Sequence, residues 1–89
     1  MYVIYLKATA KDTNPNFAGE VNHYYYGKRE NDITWLVKND VKIYAREYAF
    51  STKAAACKAK KVHEYEEPYW VNEVEVLTWE EAVKLAETF

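Results

Sequence analysis

The strongest constraint on the fold of this chain is an apolar pattern of period two that recurs in short runs. Residues 2–9 alternate in this way, and so do residues 33–37 and 41–46, which flank Asn39 and Asp40. Successive side chains of a strand point to opposite faces, so the alternation predicts half-buried β-strands. Asn and Asp tolerate a positive φ, which favours a hairpin turn between the last two runs.

Two further segments are predicted as strands. Residues 20–27 are dense in tyrosine and end at Gly27, and residues 69–77 alternate between apolar and acidic side chains. Residues 10–19 contain Asp, Asn, Pro and Gly, which are typical of turns, and they therefore form a loop between the first two strands.

The alanine-rich stretch after Ser51 is predicted to be a helix. The Ser51 hydroxyl is suited to cap its first turn, and the helix extends to about residue 64. Ala55, Ala59 and Val62 lie on one face by the helical period, which indicates close packing against a sheet.

A second helix is predicted at the C-terminal end, because Thr78 and Glu81 match a capping box. The predicted order is therefore β-β-β-β-α-β-α. We expect residues 1–89 to form a single α+β domain, with a mostly antiparallel sheet of about five strands and both helices on one face.

Composition narrows the class of protein. Apolar residues make up 49% of the chain and there are only two Gly and two Pro, so the chain is globular rather than disordered. Cys57 is the single cysteine, which excludes a disulfide within the chain. We expect no signal peptide, no membrane span and a cytoplasmic location.

No catalytic, cofactor or metal site is predicted. Cys57 lies on a lysine-rich helix without a histidine oriented towards it, so an incidental thiol is expected. His63 precedes an acidic stretch that lacks the four converging ligands of structural zinc, and we interpret it as part of a solvated helix end. His23 is expected to be a partly buried, hydrogen-bonded imidazole.

Charge is divided unevenly along the chain. Residues 1–61 contain 11 Lys and Arg against 6 Asp and Glu, whereas residues 62–89 contain one Lys against 8 Glu. This asymmetry indicates either a polar partner or two solvated surfaces that partly neutralise each other.

If one face of the predicted sheet packs on the helices, the other face carries aromatic and basic side chains. We call this predicted surface the tyrosine–basic face; its anchors are Tyr5, Tyr24, Tyr26, Tyr44 and Arg46, with Tyr25 as the alternative to Tyr24 and Tyr26 on the second strand. Aromatic and basic residues together suit single-stranded RNA or DNA, by stacking and phosphate contacts, or they anchor a protein partner. The same surface tyrosines could also be buried in a homodimer, an alternative that stays open.

Carboxylates in the last third of the chain favour a protein partner. We call them the acidic group: Glu64, Glu66, Glu67, Glu73 and Glu75. Carboxylates repel phosphates, so they weaken the nucleic-acid alternative. They fit instead a basic protein surface that normally holds nucleic acid, which the carboxylates would mimic.

Residues Ala49-Phe50-Ser51-Thr52-Lys53-Ala54-Ala55-Ala56 follow the predicted hairpin with an apolar residue, a Ser/Thr cap and an Ala-rich helix. This arrangement, over residues 33–77, resembles short accessory proteins of bacteriophages, which include anti-CRISPR inhibitors. The resemblance implies a non-enzymatic protein that blocks a bacterial defence nuclease by direct binding. It assigns no binding residues, so the predicted sites come from the alternation alone.

Overall fold

The computed structural model of the chain describes residues 1–29, 32–37 and 47–88. Its strands are β1 (Tyr2–Ala10), β2 (Val21–Arg29), β3 (Asp32–Val37) and β4 (Trp70–Thr78). Its helices are α1 (Lys53–Lys60), which continues into a 3-10 turn (Lys61–His63), and α2 (Trp79–Ala86). The α+β class is therefore confirmed. The strand predicted for residues 41–46 lies outside the described residues.

The described strands form one antiparallel sheet with the order β3-β2-β1-β4. β1 is a central strand: Ile4 lies opposite Tyr26 of β2 and Val76 of β4, and Tyr5 lies opposite Tyr25 and Glu75. This register determines which side chains share a face, because directly opposed residues of an antiparallel pair point the same way.

The even-numbered side chains of β1 form one face of the sheet, which we call the α1 face. Ile4 and Leu6 are buried there with Tyr26 of β2, Phe50 and Ala56 of α1. Phe50 is fixed by two backbone bonds to Tyr2, of 2.8 and 2.7 Å, which continue the sheet pairing beyond the named strands.

The odd-numbered side chains of β1 form the opposite face, which we call the α2 face. Val3 and Tyr5 are buried there with Tyr25, Leu77 and Ala82 of α2. The prediction that both helices lie on one face is therefore wrong. The physical reason is that β1 is apolar on both sides, so each side needs its own cover to exclude water.

The residues before Phe50 also cover the α2 face. Tyr48 and Ala49 pack against its buried cluster. A Cβ added at Gly27 of β2 would lie 2.6 Å from the Tyr48 carbonyl oxygen. Glycine at position 27 therefore permits the two backbones to approach this closely.

Both helices begin with a hydroxyl-bearing cap residue, as predicted, but the cap of α1 is one residue later than predicted. At α1 the cap is Thr52 and not Ser51: the Thr52 hydroxyl accepts a bond of 3.2 Å from the Ala55 amide. At α2 the capping box is confirmed, with 3.1 Å from the Glu81 amide to the Thr78 hydroxyl and 3.0 Å from the Thr78 amide to the Glu81 carboxylate. That backbone bond lowers the pKa of Glu81.

Candidate functional site

A cleft of about 370 Å³ opens on the α1 face of the sheet. Its floor is formed by Leu6 and Ala8 of β1. The side chains around this floor come from the two neighbouring strands and from the chain before β4: Asn22, Tyr24, Tyr65, Glu67, Trp70 and Asn72. Asn22 and Asn72 lie opposite Ala8 from the two sides, so two amides border one small residue.

The segment 64–69 forms the roof of the cleft, and a distant loop holds it in place. The Lys11 ammonium donates to the Glu67 carbonyl at 3.0 Å, and the Lys11 amide donates to the Tyr69 carbonyl at 2.9 Å. The buried Asn14 side chain donates to the same Tyr69 carbonyl at 3.2 Å. Because these bonds are to backbone carbonyls, they fix the segment without using the Glu67 carboxylate, which instead forms a side-chain hydrogen bond with Tyr65.

His63 packs against Tyr26 on the α1 face of the sheet. Its ring stacks on that of Tyr26 with 3.8 Å between centroids, and the imidazole is 8% exposed. Burial lowers the pKa of His63, because the charged form loses hydration. Assignment of His63 to a solvated helix end is therefore wrong: the 3-10 turn rotates its side chain onto the sheet.

Phenol groups surround the Glu67 carboxylate. Burial raises the pKa of Tyr26 most, and the neighbouring Tyr65, Tyr24 and Glu67 raise it further. The pKa of Tyr65 is raised by burial and by the Glu67 carboxylate. The cleft therefore combines aromatic rings with a carboxylate and two amides.

The structure brings the acidic group together along β4, the last strand of the described sheet. Glu73 and Glu75 lie on its α2 face, where both raise the pKa of Tyr5 after the larger effect of burial. Glu64 and Glu66 line a shallow hollow of about 380 Å³ beside β4 on the other face, and Glu67 lies in the cleft. The carboxylates thus border the same strand from two sides.

Two lysines neighbour these carboxylates. Lys60 and Glu64 form an ion pair of 2.8 Å, and Lys7 and Glu73 one of 4.0 Å. The Glu64 side chain is 46% exposed and that of Glu73 is 67% exposed. Such pairs are worth little in water, so the acidic group remains open to a stronger cationic partner.

The tyrosine–basic face is not formed as predicted. Tyr5 and Tyr26 are buried, and they lie on opposite faces of the sheet because Tyr26 is opposite Ile4 and not Tyr5. Tyr24 is half-buried in the cleft wall. Tyr44 and Arg46 lie outside the described residues.

His23 has the environment predicted for it. It is half-buried on the α2 face, where its Nδ1 and the Tyr5 hydroxyl are 2.6 Å apart. Cys57 is exposed on α1. Within residues 1–29, 32–37 and 47–88, no three His, Cys, Asp or Glu side chains converge in a way that could hold a metal ion.

The cleft residues Asn22, Asn72 and Tyr65 were not identified from the sequence. A signal for the two asparagines exists: each occupies a core-facing position of its strand, on the same face as buried apolar residues. A polar side chain at such a position indicates a place where the core is open. Tyr65 has no comparable signal, since the loop bonds that position its segment are distant in sequence.

Comparison of the chain with protein-family models, with curated proteins and with solved structures finds no match. Among the described residues, no helix has the length and apolar character needed to cross a bilayer.

Proposed function

We propose that this protein is a non-enzymatic binding protein that uses the acidic group to engage the basic surface of a protein partner. The observation that carries the proposal is that all five carboxylates border β4, with Glu73 and Glu75 on its α2 face and Glu64, Glu66 and Glu67 on the other face. Charge of one sign along one strand favours a partner of opposite charge by steering its approach and by excluding other orientations.

Lys60 interacts with carboxylates that lie on both faces of β4. Its ammonium bonds to Glu64, and Glu75 also raises the Lys60 pKa, although Glu75 belongs to the opposite face. A single cation is therefore within the field of both sets of carboxylates. A row of arginines or lysines on a partner would experience the same field along the strand.

A partner of this chemistry is a nuclease whose basic groove normally holds nucleic acid. Carboxylates placed along an extended strand would occupy such a groove as phosphates do. We therefore propose an inhibitor of a bacterial defence nuclease, of the kind that bacteriophages use, acting in the cytosol of the host. Direct binding of single-stranded RNA or DNA loses its main support, because Tyr5 and Tyr26 are buried.

The test begins with capture of partners by the tagged chain from bacterial lysate, with and without nuclease treatment. Affinity for the captured protein is then measured for two variants: Glu64→Lys with Glu66→Lys, and Glu73→Lys with Glu75→Lys. At least one pair should weaken binding by on the order of tenfold or more, because reversal replaces attraction by repulsion.

The matched control is Glu20→Lys with Glu87→Lys, which changes the net charge equally at exposed positions outside β4 and outside the segment before it. Its affinity should stay close to that of the parent chain. Equal loss in the control and in both test variants would show that only net charge matters. Capture of nucleic acid alone, lost after nuclease treatment, would replace the proposal with the RNA or DNA alternative.

A further inference from the structure

The cleft on the α1 face has a size and lining that fit one planar, cationic group. Its volume of about 370 Å³ is at the lower end of the range for ligand sites, about 300–1,000 Å³. The rings of Tyr24, Tyr65 and Trp70 provide flat walls, and the Trp70 ring is itself supported by Phe17 at 6.0 Å between centroids.

Polar groups of the cleft accept hydrogen bonds in three places. The Glu67 carboxylate and the amide oxygens of Asn22 and Asn72 can all receive an N–H, and the two asparagines lie on either side of Ala8. Two lysines contact the neighbouring segment at other atoms: Lys11 donates to the Glu67 carbonyl, and Lys60 pairs with Glu64. Among the described residues that line the cleft there is no lysine or arginine.

We propose that the cleft binds the guanidinium of an arginine side chain presented by the protein partner. A guanidinium is planar, stacks on aromatic rings and carries five donors, whereas a lysine ammonium is compact and strongly hydrated. Glu64 and Glu66 beside the cleft add attraction for the positive charge. This inference rests on the proposed function, since it names the group of the basic partner that the chain recognises.

The experiment requires only the purified chain. Chemical shifts of the isotope-labelled protein are followed while N-acetyl-arginine methylamide is added, and the titration is repeated with the citrulline and lysine counterparts. Citrulline has almost the shape of arginine without its charge. Arginine should bind on the order of tenfold more tightly than citrulline, with shift changes at Ala8, Asn22 and Asn72.

Two variants and one control assign the interaction to the cleft. Glu67→Gln should reduce arginine binding to the level of citrulline, and Tyr65→Ala should weaken binding of both. Tyr69→Ala should change neither, although Tyr69 belongs to the same segment and is similarly exposed, 47% against 50% for Tyr65. Dispersed amide signals will show that each variant is folded.

Equal binding of arginine and citrulline would overturn the inference, as would shift changes mapped away from the cleft. Tighter binding of adenosine monophosphate than of arginine would identify a nucleobase site instead. Partner capture distinguishes the two proposals. If charge reversal in the acidic group abolishes partner capture but arginine does not bind in the cleft, only the assignment of the cleft is wrong. If arginine binds in the cleft but charge reversal does not change partner capture, the proposed role of the acidic group is wrong.

Discussion

The two faces of the sheet are covered in different ways. On the α2 face, the short helix α2 and the chain at Tyr48 lie directly on Val3 and Tyr25. On the α1 face, α1 covers only part of the sheet, and an irregular segment held by Lys11 and Asn14 spans the rest. Where a helix covers the sheet, apolar contacts fill the space between them. Where the irregular segment covers the sheet, the cleft remains open between the two.

The difference shows how one small sheet can separate stability from recognition. Burial of apolar area stabilises both faces, but a helix packs its side chains into the sheet while an extended segment touches it at a few points. Backbone bonds to Glu67 and Tyr69 hold the extended segment without filling the space beneath it. Space and exposed acceptors therefore remain where a ligand can enter.

The largest effect is expected from loss of core volume. Ile4→Ala on the α1 face should lower the free energy of unfolding by about 2–5 kcal/mol, measured by urea denaturation. Val3→Ala on the α2 face should cost about 1 kcal/mol less, because one fewer methylene is removed. Val62→Ala, at a position 71% exposed, should change stability by no more than about 0.5 kcal/mol. A Val3→Ala effect as small as that of Val62→Ala would mean that the α2 face is not a core.

Gly27→Ala probes the close backbone approach that covers the α2 face. The added Cβ would meet the Tyr48 carbonyl oxygen at 2.6 Å, so the segment must move, at a cost of about 1–3 kcal/mol. Thermal unfolding of the variant should show this loss while its affinity for arginine is retained, because the cleft lies on the other face. Loss of arginine binding in a folded Gly27→Ala variant would contradict the independence of the two faces.

The helix caps give a smaller, graded test. Thr78→Ala removes a reciprocal capping box and should cost about 1–2 kcal/mol in chemical denaturation. Thr52→Ala removes one bond at an exposed position and should cost about 0.5–1 kcal/mol. Serine at either position should restore most of the loss. The reverse order of the two alanine variants would show that α1 contributes more to stability than its packing indicates.

His63 adds a pH dependence to the α1 face. Its pKa in the folded chain lies below the ordinary value of 6.5, so the unfolded chain binds more protons as the pH falls below 6.5. The free energy of unfolding should therefore decrease from neutral pH towards lower pH in that window. His63→Phe keeps an aromatic ring against Tyr26 and should flatten the decrease. An unchanged slope in His63→Phe would assign the dependence to other groups.

Local pattern was sufficient for much of the fold. Alternation predicted β1 and β4, and the density of tyrosine predicted β2, each to within two residues. The Thr78 capping box predicted the start of α2, because each of these signals depends on neighbouring residues alone. The side on which each helix packs was not predicted correctly. Tyr2 to Leu6 is apolar throughout, and alternation cannot identify an open face in a run that is buried on both sides.

The faces of the alanine-rich helix α1 differ too little in hydrophobicity for the sequence to predict which of them packs on the sheet. Ala55, Ala59 and Val62 were predicted to face the sheet. Ala59 does pack against the cluster of the α1 face, but Ala56 is the buried residue, and Ala55 and Val62 are exposed. The cleft could not be found for a different reason. Its roof depends on Lys11 bonding to Glu67, 56 residues away, and no period in the sequence reports a contact of that separation.

The central position of β1 has a consequence for synthesis of the chain. Tyr2 is paired with Thr78, and Trp79 donates to the Met1 carbonyl at 2.9 Å, so β1 acquires one of its neighbours only after the other described strands have been translated. On the ribosome, β1 and β2 can pair while one edge of β1 remains unprotected. A nascent chain of this protein therefore exposes an apolar strand edge until β4 has emerged from the ribosome. Chaperones that recognise such edges can bind the chain before β4 pairs with β1.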